Sequence, residues 1–148
     1  MIIQDLSIDE SMAVLSRRGF GRLACARDSQ PYIVPMNFSV LGNELLAFST
    51  VGRKIEWMRL NPLVCVEVDE VETQQKWKSV IVMGKYHEAP RTAQGDMRRQ
   101  MIHQALQKKG AWWEPGSAKT VLQGATRPLE PVYFTISIDS ISGHSASP

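Results

Sequence analysis

The sequence predicts a mainly β (α+β) domain: a six-stranded antiparallel barrel with short helices at its side. Three observations carry that expectation. Short apolar segments recur along the chain and are separated by turn residues. Helical periodicity is confined to three brief stretches. The resulting order, helix, three strands, helix, two strands, helix, strand, offers neither alternating βαβ units nor the seven strands of a sandwich.

The first helix begins at a capping box, Ser7 with Glu10 three residues on, and places Ile8, Met12 and Leu15 on one face. Arg17 and Arg18 fill its last turn, and Gly19 supplies the left-handed residue that ends it. Three strands in a meander follow: 21–26, 31–40 and 44–49, with turns at Asp28-Ser29-Gln30 and Gly42-Asn43. A second helix runs from Arg53 to Leu60 and stops at Asn61-Pro62, because proline disfavours the helical region for the residue before it. Strand four is 63–69, and an acidic connection, 70–75, leads to strand five, 76–88. That fifth strand is apolar on both faces, Trp77, Ile81 and Met83 opposing Val80, Val82 and Tyr86, so it is expected to be covered on two sides. A third helix, 96–109, lines up Met97, Met101 and Ala105 beside Ile102 and Leu106 and ends at Gly110. Val132, Phe134, Ile136 and Ile138 alternate with polar residues in the sixth strand. The tail, 144–148, is expected to be disordered.

One domain accounts for residues 1–148, since a chain of this length buries about 68–70% of its unfolded surface without staples. The net charge of +2 argues against a nucleic-acid partner or a membrane surface. Cys25 and Cys65 lie in strands without CxxC partners, and His87, His103 and His144 show no ligand spacing, so neither a disulfide nor a metal is expected. No signal-peptide pattern or membrane-length apolar run occurs, which makes cytoplasmic the expected location.

Chemistry concentrates at one turn. Phe48-Ser49-Thr50-Val51-Gly52-Arg53-Lys54 reads as a strand end, a hydroxyl pair, a glycine turn and two cations opening a helix. Unpaired N–H groups at a helix start, the helix dipole and two full charges together suit a phosphate. Pro35 sits mid-strand, where it cannot donate to a ladder, so its side faces an edge, a bulge or a ligand. Asn37 shares that face. Trp112 and Trp113 stand together in a turn-rich segment; they form either a lid packed on the core or a surface that meets a ligand. Ser79 is the odd polar member of one face of the fifth strand. No HExxH, Walker A, GxGxxG or Ser-His-Asp ordering appears, so any chemistry falls to a bound cofactor.

These residues resemble the pyridoxamine 5'-phosphate oxidase-like group of FMN-binding split barrels, in its nitroimidazole-reductase-related branch. The matching runs are Gly21-Arg22-Leu23-Ala24, Gln30 to Phe38, Phe48-Ser49-Thr50, Gly52-Arg53-Lys54, Asn61 to Cys65, Val80 to Lys85 and Pro131 to Ile136. The resemblance implies a homodimer with FMN at the subunit interface and a small-molecule substrate. It implies that Val34, Pro35, Met36 and Asn37 face the isoalloxazine ring. Ser49, Thr50, Arg53 and Lys54 would take the phosphate, Phe48 and Gly52 would belong to the same cofactor site, Ser79 would make a further polar flavin contact, and Trp112 and Trp113 would shape the substrate side. The chain lacks the C-terminal arginine- and histidine-containing motif of the true oxidases, and it reads Phe48-Ser49-Thr50 where nitroimidazole-reductase relatives have Phe-His-Ser. The implied function is flavin-dependent oxidoreduction, with flavin, haem or F420 binding or storage on the same fold as the alternative.

Overall fold

The computed structural model describes residues 1–108, 119–122, 125–128 and 131–148. In chain order the elements are β1 (Ile2–Leu6), α1 (Ile8–Arg18), β2 (Phe20–Arg27), β3 (Gln30–Asn37), β4 (Ser39–Leu41), β5 (Glu44–Thr50), α2 (Arg53–Leu60), β6 (Leu63–Thr73), β7 (Lys76–Glu88), α3 (Ala93–Gln107), β8 (Lys119–Leu122), β9 (Ala125–Pro128), β10 (Pro131–Ser137) and β11 (Ser140–Ser147). β8 and β9 form a separate antiparallel pair. The other nine strands make one antiparallel sheet ordered β3-β2-β6-β7-β10-β5-β4, with β11 against β7 and β1 beyond it. This is a split barrel, with nine strands where six were expected and a sheet that does not close.

The split has a local cause in β7. One edge of this 13-residue strand pairs with β6. Its other edge is shared, Trp77 to Met83 with β11 and Tyr86 to Glu88 with β10. Gly84 lies where the two partners part: a Cβ there would stand 1.8 Å from the Ser137 carbonyl oxygen. Only glycine lets the backbones approach so closely.

Val66, Val80, Val82, Leu23, Leu45, Phe38, Phe134 and Ile136 fill the interior, and Ile55 and Met58 of α2 join them. α3 packs on the opposite face of β5 and β10, where Leu46, Ile102 and Leu106 form a second apolar cluster beside Phe48 and Tyr133. Burying these side chains is the main source of stability.

Several sequence expectations need correction. The tail is ordered: β11 runs to Ser147, because its backbone pairs with β7 on one side and β1 on the other. β1 carries no apolar alternation, and no strand is expected there from the sequence. The 31–40 segment is two strands broken at Phe38, whose N–H donates to the Gly19 carbonyl at 3.0 Å. The acidic connection belongs to β6, which continues to Thr73. α1 starts at its capping box as expected, but it buries Ser11, Val14 and Leu15 and leaves Ile8 exposed. The reason is steric: Ser11 packs on Gly143 of β11, where a Cβ would meet its Oγ at 2.6 Å. α3 starts at Ala93, capped by Thr92, and Met97 points to solvent.

Candidate functional site

The turn after β5 has the features of an anion seat. β5 ends at Thr50, held by the register Ser49–Val132 and Thr50–Pro131 to β10. Ser49 is buried with the barrel-facing residues of β5, whereas Phe48 turns toward α3, its ring 6.0 Å from that of Tyr133. Gly52 is the N-cap residue of α2 in extended backbone, and no side chain caps the helix. The first N–H groups of α2 therefore keep their hydrogen-bonding capacity, and the helix dipole adds positive potential there.

Arg53 and Lys54 complete this seat, in different ways. The Arg53 guanidinium lies 5.4 Å from the Tyr32 ring centre, which orients it by a cation–π contact. Lys54 is half-buried, and burial near Cys25 lowers its ammonium pKa below the ordinary lysine range. The Cys25 thiol is likewise pushed up by burial. Among the described residues, neither Arg53 nor Lys54 forms an ion pair. A desolvated ammonium with no counter-ion among the described residues, at an uncapped helix start, fits a phosphate that would supply that charge.

β3 is brought to the same place. It is the edge strand of the sheet, which accommodates Pro35. Cys25 pairs with Tyr32, and the Tyr32 ring packs on Trp57 of α2 at 5.5 Å, so α2 is docked against β2 and β3. Side chains alternate along β3: Tyr32, Val34 and Met36 turn into the barrel, and Pro35 and Asn37 turn outward. A planar ring on the outer side would meet Pro35 and Asn37 directly, and Val34 and Met36 through their backbone.

Two other expected contributors stand apart. Ser79 is on the outer face of β7, paired with Asp69, and β7 is three strands from β3, about 14 Å at normal strand spacing. Trp112 and Trp113 lie outside the described residues. Sequence reasoning missed Tyr32 as the residue that positions Arg53; its alternation with Val34 and Met36 was the available signal. Among the described residues no three His, Cys, Asp or Glu side chains group as metal ligands, and no helix is long and apolar enough to cross a membrane.

The pyridoxamine 5'-phosphate oxidase family model matches residues 7–145. The chain belongs to this family. Among its relatives is an uncharacterised Rhizobium meliloti protein, 39% identical over 146 residues, covering 99% of this chain and 97% of that one. A solved structure described as an FAD-binding protein from Mesorhizobium loti is 41% identical, with a TM-score of 0.81 and coverage of 99% and 100%. HutZ, described as a haem storage protein from Vibrio cholerae, shares the fold alone, at 16% identity, a TM-score of 0.67 and coverage of 90% and 92%. Within the pyridoxamine 5'-phosphate oxidase family, then, near-full-length likeness extends to a protein whose description names a flavin.

Proposed function

We propose that this protein binds a flavin at an interface between two copies of itself and uses it for oxidoreduction of a small molecule. The observation that carries the reading is the uncapped start of α2 with Arg53 and half-buried Lys54, both without carboxylate partners among the described residues, beside the edge strand β3. FMN, the cofactor implied by the family pattern, and FAD, named for the Mesorhizobium relative, carry the same phosphate on the flavin side chain. The seat suits either.

In this reading the α2 N–H groups, Arg53 and Lys54 hold the phosphate by charge-assisted hydrogen bonds. Ser49 and Thr50 bring hydroxyls to the same turn. Pro35 and Asn37 face the ring edge, and the β3 backbone orients it. A bound flavin supplies hydride or single-electron transfer, and the protein contributes position, electrostatics and a shaped pocket.

The two-copy arrangement is supported by the outer face of the sheet. β7 turns Val80, Val82 and Tyr86 inward but leaves Ile81 41% and Met83 54% exposed. Leu63 and Cys65 of β6 face the same way, paired with Lys85 and Met83. A second copy laid across this surface would cover it, and would also carry a Ser79 toward the other subunit's phosphate turn.

The test is to purify the protein, release its cofactor by denaturation and identify it by chromatography. One flavin per chain is expected; a colourless protein with no saturable flavin binding refutes the reading. Steady-state oxidation of NADH or NADPH with quinones or nitro compounds then separates an oxidoreductase from a flavin store.

A further inference from the structure

A groove opens beside the phosphate turn, on the side where α3 packs. Its first part, about 230 Å3, is lined by Val51, Arg59, Arg91, Arg99 and Tyr133, with Glu88 its one acidic member among the described residues. Its second part, about 480 Å3, follows α3 past Arg99, Gln100, His103 and Gln104 to Tyr133. The two parts share Arg99 and Tyr133 in their walls, and the second by itself falls in the range of small-molecule sites, about 300–1,000 Å3.

The three guanidinium groups differ in what already engages them. Arg59 is held by Glu88 through two hydrogen bonds of 2.8 and 3.2 Å. Arg99 donates to the carbonyl oxygens of Ala89 and Pro90, at 3.4 and 2.9 Å, and pairs with Asp96, so its planar group is fixed in orientation. Arg91 has no hydrogen bond or ion pair among the described residues, only a longer-range attraction to Glu88. One fixed and one uncommitted arginine on the same cleft match the planar, multidentate recognition of phosphate.

Beyond them the groove changes character. The Tyr133 hydroxyl and His103 Nδ1 are 2.9 Å apart, which sets the tyrosine ring at the groove wall. Gln100 and Gln104 line the same wall with amides that can both donate and accept. Phosphate-binding cations, then an aromatic face, then amides is the sequence of contacts a nucleotide presents.

We propose that this groove binds an adenosine phosphate, with the phosphate between Arg91 and Arg99 and the base lying along α3 beside Tyr133. The moiety has two sources, and both rest on the flavin reading above. One is the adenylate half of FAD, entering past Val51 from the phosphate seat. The other is the adenylate end of a nicotinamide dinucleotide that reduces bound FMN.

The test titrates flavin-free protein with FMN and with FAD by fluorescence quenching, and FMN-loaded protein with ADP by calorimetry, for wild type and Arg91→Gln. If the groove takes FAD, FAD binds about tenfold tighter than FMN, and Arg91→Gln removes that advantage while leaving FMN affinity unchanged. If it takes the reductant, FMN and FAD bind alike, ADP binds the FMN-loaded protein, and Arg91→Gln weakens ADP about tenfold. Equal FMN and FAD affinities with no ADP binding overturn the groove proposal and leave the flavin reading standing. So does any nucleotide preference that Arg91→Gln does not change. Failure of FMN and FAD alike to bind overturns both.

Discussion

Lys54→Met separates what Lys54 does for a ligand from what it costs the fold. Methionine keeps an unbranched stem of similar length and removes the charge. In the structure this ammonium is half-buried near Cys25, its pKa is lowered by burial, and no carboxylate among the described residues pairs with it. Removing it should stabilise the flavin-free protein by about 0.5–2 kcal/mol, the usual range for relieving such a conflict. That is a rise in Tm of a few degrees for a chain of this size. The sign with pH follows from the direction of the shift. Because the folded-state pKa lies below the unfolded value, the penalty is full at pH below the folded pKa. It fades as pH rises through the window up to the ordinary lysine value of 10.5. The advantage of Lys54→Met fades over the same window. Phosphate binding should move the other way, since one charge-assisted hydrogen bond is worth about 1.5–3 kcal/mol, or about 10–150-fold in Kd. The assay compares FMN with riboflavin, which lacks the phosphate, by fluorescence quenching. FMN affinity should fall by that factor and riboflavin affinity should stay. Unchanged FMN affinity, or an equal loss for both ligands, refutes the assignment of Lys54 to the phosphate.

Four further outcomes are expected. Gly84→Ala should destabilise the fold by about 3 kcal/mol or more in urea denaturation, because its Cβ would stand 1.8 Å from a backbone oxygen. Gly42→Ala, in open space with φ +59°, should lose only about 1 kcal/mol to backbone strain. Ile81→Lys with Met83→Lys should yield a monomer by light scattering, with loss of bound flavin and an unchanged far-ultraviolet spectrum; a dimer that persists would place the interface elsewhere. Glu67 has a raised pKa from burial and from Asp69 beside it, so at neutral pH its charge costs stability. Glu67→Gln should therefore raise Tm at pH 7, and the gain should shrink as pH falls through that raised pKa toward the ordinary carboxylate range.

Much of this protein was legible locally. A capping box and a terminal glycine delimit α1, the Asn61-Pro62 stop ends α2, and alternation marks β10, because each of these signals is carried by residues within a turn or two of one another. The Ser49–Lys54 turn was legible for the same reason: a helix start, its dipole and two adjacent cations are all contiguous in the chain. What was not legible depends on pairing between distant segments. Ser140–Ser147 is mostly small and polar, and it becomes a strand only because β1 and β7 are there to take its backbone hydrogen bonds. The sharing of β7 between β10 and β11 likewise rests on a close approach at Gly84 that no local pattern announces.

The sequence alone determined the mainly β class, the helices α1, α2 and α3 and the glycine turn that opens α2 with two cations, all set by short-range stereochemistry and by hydrophobic periodicity. Tertiary structure alone decided what surrounds that turn. Docking α2 against β2 and β3 put Lys54 into a desolvated position beside Cys25 and Arg53 over Tyr32. It also left Ser79 on β7, three strands from β3, and it folded Arg59, Arg91 and Arg99, from three separate segments, onto one groove. Those relations arise from burial and close packing across the chain, and contacts of that range have no periodic trace in a linear sequence.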